Sequence, residues 1–424
     1  MTEPDPKPQA DLLIAGAKEV LTCVPSAGNP IGRKVGASVA IGGERILAVD
    51  APAEIAKQVD LGAARVIDTA NRIIAPGFVD SHTHLVFGGS RAQEYAARMT
   101  MDINQVKELG IPVGIQATVE MTRATNVDEL VDLSKQRLQR MLRHGTTTVE
   151  NKSGYGLSLT QERKLLEVNR RLQSTGPIDV ISTFLGAHDF PPELSHERYV
   201  EVVIEDMIPQ VAEHGLAEFC DVYCDDGYYT VEQSRRILEA GLRAGLRAKI
   251  HTDAYSDIGG SAMAAELGVV SADHLNYTGR ASMRMLAQAG VVGVVMPALD
   301  FAVGHTRPFN ARAMMEEGMT LALASDFCPA CWVESMQLVM ALACRLYQFT
   351  PSEALFAATM GGARALGLDE DRGSLEPGKL ADMQIFDIPT FEDLIYRLGS
   401  NSVEMVIKRG KVFRFPEEDG FFRD

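Results

Sequence analysis

The chain has little cysteine, a single tryptophan, no excess of positive charge and no long apolar run. Six cysteines in 424 residues are too few and too scattered to form a disulfide framework, so the thiols are expected to be reduced and the chain cytoplasmic. A formal net charge of −16 argues against nucleic acid as a partner, since phosphate binding needs a basic surface. It argues equally against an anionic membrane surface. No stretch approaches the ~18 apolar residues of a membrane span. The opening "MTEPDPKPQAD" is polar and acidic, unlike a signal peptide, and residues 1–10 are expected to be disordered. There is no G-x-S-x-G elbow, which disfavours a serine nucleophile. The C-x-x-C at Cys328–Cys331 has no second copy, so neither a zinc ribbon nor a redox dithiol has support.

What remains is an ordinary soluble composition, 46% hydrophobic and 23% charged, on a chain long enough for a large barrel with attachments. Residues 11–75 read as short strands punctuated by Gly, Pro and Asp, with a short helix near Ala53–Val59. From residue 76 to 375 short apolar strands alternate with helical stretches of i, i+3, i+4 spacing. The strands are "GFVDSH", "TTTVENK", "VISTFLG", "FCDVYC", "RAKIHTD", "SADHLN", "VVGVVMP" and "TLALASD". "HG" and "AG" at helix ends read as glycine C-caps. Short strands return over 376–424. The reading is an α/β chain: a (β/α)8 TIM-type barrel over 76–375, inserted in a small β-sandwich domain built by 11–75 plus 376–424.

In a parallel barrel the chemistry sits at the C-terminal ends of the strands. His82 and His84 close the first candidate strand, His188 the third, His251 the fifth, His274 the sixth and Asp326 the eighth. Histidines at i and i+2 of an extended segment share a face. Five of the nine histidines thus fall on one rim. The other four, His144, His196, His214 and His305, fall on helices or loops and are expected to be solvated. Imidazoles with a carboxylate suit Zn2+ or Fe2+, and such an ion acidifies water and polarises a carbonyl. Asp326 can both ligate and accept a proton, and His274 is expected within reach of the water or of the developing oxyanion. Ligands converging on one rim are expected to hold one divalent ion.

These residues resemble the amidohydrolase superfamily over nearly the whole chain. Within it, "HTHLVFGGSR", "HGTTTVENKSGYGLSL", "FLGAHDFPPE", "CDVYCDDG", "GGSAMAAELGVVSADHL" and "LASDFCP" are similar to the imidazolonepropionase family of histidine degradation. That family opens a cyclic amide, imidazolone propanoate, to formiminoglutamate. The resemblance implies His82, His84, His251 and Asp326 as metal ligands. It implies Arg91, Tyr155 and His188 as substrate contacts, and superfamily members are often homodimers. Arg91 suits a carboxylate on the substrate. The departures lie in the substrate shell. Ala254 stands where the family has Glu or Gln, and Cys328 and Cys331 replace an amide and a hydroxyl, so both thiols are expected to line the pocket. A changed ring is therefore in play. The alternative is a heterocycle deaminase of the same superfamily. Such enzymes need a proton-shuttling Glu where this chain has Ala254, and neighbouring Asp253 faces the other way along an extended chain.

Overall fold

A computed structural model describes residues 6–415. Eight strands form one parallel sheet in sequence order: Phe78–Asp80, Thr146–Lys152, Asp179–Ala187, Phe219–Cys224, Arg247–Thr252, Ser271–His274, Val292–Val295 and Leu321–Leu323. We call them barrel strands one to eight. Nearly every strand residue is buried, as expected where helices cover the outside and packed side chains fill the inside. The helices start and stop on local chemistry. Asn126 caps Val127–Arg143, and Thr230 with Gln233 forms a capping box on Val231–Arg243. Gly145, Gly245 and Gly290 follow helix ends with φ of +93°, +89° and +71°, the backbone that only glycine adopts cheaply.

The ring closes differently on its last side. Strands eight and one share no ladder. Instead Thr83 bridges Phe327 beyond both strands. The His84 amide donates to the Phe327 carbonyl at 2.9 Å and the Asp326 amide to the His82 carbonyl at 3.1 Å. Below this, the Asp80 carboxylate accepts from the Ser325 amide at 3.0 Å and its hydroxyl at 2.5 Å. His82 and His84 therefore lie past the end of strand one, which stops at Asp80.

The chain ends build two further sheets. Arg45–Asp50, Ser38–Gly42, Leu12–Ala15 and Arg65–Asp68 form a four-stranded sheet from the N-terminal segment alone. Lys411–Arg414, Val403–Lys408, Met383–Phe386, Ile73–Pro76, Glu19–Leu21 and Arg33–Val35 form a six-stranded sheet from both ends. Ile14, Val39, Ile41 and Ile67 of the first share one buried cluster with Val20, Ile74, Ile385 and Ile407 of the second. At the barrel base Asp179 takes Arg372 at 2.7 Å and Lys408 at 2.8 Å, which ties the six-stranded sheet to strand three. Order begins earlier than expected: Gln9 bridges Asp60 and Ala10 is fully buried, because these residues lead into Leu12–Ala15, an inner strand of the four-stranded sheet. Residues 1–5 and 416–424, parts of the segments read as disordered and as β-domain, lie outside the described residues.

Candidate metal centre and its surroundings

Alternation along the strands decides what enters the barrel. Glu150 and Lys152 on strand two, Asp221 and Tyr223 on strand four, Lys249 and His251 on strand five, and Asp273 on strand six sit two apart or in register, all on the inner face. The upper level is the histidine cluster. His82 and His251 ring centroids are 4.5 Å apart, His82 and His84 5.3 Å, and His84 and His251 5.6 Å. Asp326 Oδ1 lies 3.7 Å from His82 Nε2 and 3.6 Å from His84 Nε2. His82 Nε2, His251 Nε2 and Asp326 Oδ1 are buried with no hydrogen-bond partner among the described residues. Buried polar atoms are almost always partnered, so convergent orphans of this kind fit a divalent ion. His274 joins the group at 5.2 Å from His251 and 5.5 Å from His82.

The protonation states of the histidines suit ligation. Burial pushes the imidazoles of His82, His84 and His251 well below the ordinary histidine value, reinforced by Lys152 and by one another. Neutral imidazole is the form that binds metal. Burial raises the Asp326 carboxyl to about 7. Four of the ten non-glycine residues with positive φ among those described are Asp253, His274, Leu275 and Asp326, at +55°, +81°, +62° and +45°. Such backbone is disfavoured for these residues, and here it concentrates where strands five, six and eight turn into the rim.

Beneath the histidines lies a layer of charge. His82 Nδ1 donates to Asp273 at 2.7 Å, and His251 Nδ1 lies 3.0 Å from Asp221. The Asp273 bond orients the His82 ring and leaves its Nε2 free, while both His251 nitrogens are without a hydrogen-bond partner among the described residues. Lys152 holds both, at 2.7 Å from Asp221 and 3.2 Å from Asp273, and also meets Glu150 at 3.0 Å. Lys249 takes the other Glu150 oxygen at 2.9 Å. All five side chains are fully buried. Burial opposes the Lys152 charge, yet Asp221, Glu150 and Asp273 hold its pKa above the ordinary lysine value. Removing one partner from a buried network strands the others. Lys152→Met is therefore expected to lower stability by about 3–5 kcal/mol, read as a lower urea midpoint at constant slope; an unchanged midpoint would remove Lys152 from this role.

The expected substrate contacts are brought together in part. Tyr155 and His188 lie against the cluster, 5.7 and 4.9 Å from His84, the latter stacked on it. His188 Nδ1 donates to the Gly154 carbonyl at 3.2 Å, leaving Nε2 as an acceptor, and burial pushes its pKa down to about 4. The "KSGYGL" loop is fixed by buried Glu162, which accepts the Gly154, Gly156 and Leu157 amides. Arg91 stands near Tyr155 and Cys328. Its Nε and one terminal nitrogen are taken by buried Glu94 at 2.6 and 2.9 Å, which leaves one terminal nitrogen for a ligand. The R-x-x-E spacing of Arg91 and Glu94 was the available signal for that partner.

Two expectations change. Cys328 keeps slight exposure beside Arg91, but Cys331 is fully enclosed and its thiol donates to the Ser325 carbonyl at 3.6 Å. The reason is the tight hairpin Cys328-Pro329-Ala330-Cys331, closed by paired backbone bonds of 3.0 Å, which tucks Cys331 against strand eight. Cys331 thus belongs to the core and not to the pocket wall. Burial raises both thiols, so neither is a ready nucleophile. Two of the four outlying histidines, His144 and His305, are half-buried instead of solvated. Burial lowers the pKa of His144, and His305 Nε2 donates to the Ala254 carbonyl at 2.8 Å. Asp253 does face away, its carboxylate accepting from Thr278 at 2.6 Å and Thr252 at 2.9 Å.

The sequence pattern of the amidohydrolase family matches residues 73–413. The imidazolonepropionase of Geobacillus kaustophilus is 42% identical over 414 residues, covering 95% of this chain and 97% of that one. That of Symbiobacterium thermophilum is 44% identical over 416 residues, with coverage of 95% and 97%. Among solved structures, a zinc-bound adenosine deaminase from Xanthomonas campestris superposes with a TM-score of 0.72 at 22% identity, covering 96% and 93% of the two chains. A triazine hydrolase variant does so at 0.72 and 18%, covering 95% and 94%. At such identities these two structures speak for the fold alone.

Proposed function

From the premise that this chain belongs to the amidohydrolase family, beside the imidazolonepropionases, we propose how its site works. The protein is an imidazolonepropionase-like, metal-dependent hydrolase of a C–N bond in a cyclic amide. The observation that carries the site reading is the convergence of the orphaned His82, His251 and Asp326 atoms beside His84. These four side chains would hold one Zn2+ or Fe2+. The acids below offer no room for a second ion, because Lys152 and Lys249 already neutralise them. When bound, the ion supplies Lewis acidity and acidified water. Asp326 accepts the proton released as the amide carbon is attacked. His274 stands by the developing negative charge. His188 and Tyr155 flank the ring, and Arg91 receives an acidic arm of the substrate through its free nitrogen.

The assay is zinc-loaded protein against a panel of cyclic amides and imides with and without a carboxylate arm, following ring opening and ammonia separately. Ammonia release without ring opening would move the function to the deaminases, a reading that the engaged Asp253 and the apolar Ala254 leave without a proton shuttle. Arg91→Met is expected to raise KM for the carboxylate-bearing substrate by roughly 10- to 1000-fold, the loss of one charge-assisted contact of ~1.5–4 kcal/mol. An unchanged KM would exclude Arg91 from recognition.

A further inference from the structure

Five tyrosines are buried in this protein: Tyr155, Tyr199, Tyr223, Tyr229 and Tyr347. Buried phenols normally spend their hydroxyl on a partner. Three do so here: Tyr199 donates to the Gly186 carbonyl at 2.8 Å, Tyr229 to the Asp189 carbonyl at 3.0 Å, and Tyr347 to Asp300 at 2.6 Å. The other two make no such bond among the described residues; their hydroxyl oxygens are not enclosed by the protein, and both rings stand at the histidine cluster. Tyr155 is the one that the sequence already points to. Tyr223 is not.

Tyr223 occupies a position of the same kind as the metal ligands. It lies two residues above Asp221 on strand four, on the same inner face, and pairs in register with His251 on strand five. Its ring centroid is 5.6 Å from His251, 6.1 Å from His188 and 6.3 Å from His274. Tyr228 stacks on it at 4.0 Å and holds the ring still. A phenol is protonated at neutral pH, so its hydroxyl can donate.

We infer that Tyr223 is a specificity-determining residue whose hydroxyl donates to the substrate ring, and that the preferred ring carries a second carbonyl there, as in a hydantoin with an acidic arm. The wall supports this. Arg91, Tyr155 and Tyr223 present donors, the Ala254 position presents no side-chain acceptor, and the Ala254 carbonyl is already bonded to His305. A hydantoin differs from an imidazolone in carrying a second carbonyl in place of the C–H between its two nitrogens, which gives the Tyr223 hydroxyl an acceptor to donate to, while His188 Nε2 is left to accept from a ring N–H. The inference rests on the proposed function of this site.

The test is Tyr223→Phe, which removes one oxygen from a packed ring. Zinc-loaded wild type and variant are compared on hydantoin-5-propanoate and imidazolone propanoate, with zinc content and thermal midpoint as controls. The expected result is faster opening of the hydantoin by wild type. In the variant, kcat/KM on the hydantoin falls by roughly 5- to 50-fold, as for one unpaired hydrogen bond, with zinc content and midpoint unchanged. Calorimetric Kd for the hydantoin should weaken in parallel. Equal kcat/KM and Kd in wild type and variant would overturn the inference alone. No opening of any cyclic amide by zinc-loaded wild type would overturn the proposed function and this inference with it.

Discussion

Replacing His82 with alanine is expected to strip the bound metal and reduce ring opening by about 10⁴-fold or more. Lewis-acid stabilisation contributes several kcal/mol to a hydrolytic transition state, and each 1.36 kcal/mol is a factor of ten in rate (~25 °C). His82 Nε2 is one of the orphaned atoms facing Asp326, whose carboxylate His84 also approaches. The fold should persist. Asp273, which loses the imidazole, keeps Lys152 at 3.2 Å and the Ser271 hydroxyl at 2.7 Å, so no carboxylate is left bare. Elemental analysis, circular dichroism and turnover on the same preparation decide it. Stoichiometric metal with more than roughly a tenth of the wild-type rate would exclude His82 as a ligand.

With imidazolone propanoate itself, kcat/KM is expected to fall below the ordinary enzyme range of roughly 10⁴–10⁸ M⁻¹s⁻¹. A site that has lost a polar contact to a polar ring discriminates by up to about 10⁴-fold. Nothing nearby restores the contact at Ala254. Asp253 is bonded to Thr278 and Thr252, Tyr255 is 52% exposed and stacked on His305, and Trp332 is 49% exposed against Phe87 and Phe327. Cys328 is a weak hydrogen-bonding group. Steady-state kinetics on freshly made imidazolone propanoate checks this, and a value within the ordinary range would refute it.

Much of this architecture was legible before any coordinates. Apolar runs of strand length, alternating with capped amphipathic helices, mark the eight barrel strands, and histidines at strand ends mark the rim. What stayed hidden has a common cause. Glu150, Lys152, Asp221, Lys249 and Asp273 sit in apolar strands as isolated charges, and along one strand a charge on alternate positions looks like a solvated face. Only closure of the sheet reveals that these positions face one another across the barrel. Tyr223 escaped for the same reason, since its meaning depends on a hydroxyl left without a partner. Glu94 was signalled only by its R-x-x-E spacing to Arg91. The Cys331 expectation failed because a C-x-x-C spacing does not say which thiol a two-residue hairpin turns inward.

The join between strands one and eight has a mechanical consequence. Every other neighbouring pair in the barrel is laced by a ladder, whereas this one rests on the Thr83–Phe327 bridge and the Asp80–Ser325 clamp. His82 and His84 stand on one lip of that gap and Asp326 on the other. An ion held by all three, as proposed, would work as a clasp on a hoop. Its binding energy is then spent partly on holding the hoop shut, so stability rises with ion concentration as RT ln(1 + [ion]/Kd). Chelation should loosen this lip before any other part of the wall. Amide hydrogens of His84 and Asp326 should be the first of the barrel to exchange, and a shortage of ion in the cell would show as faster turnover of the chain as well as slower turnover of its substrate.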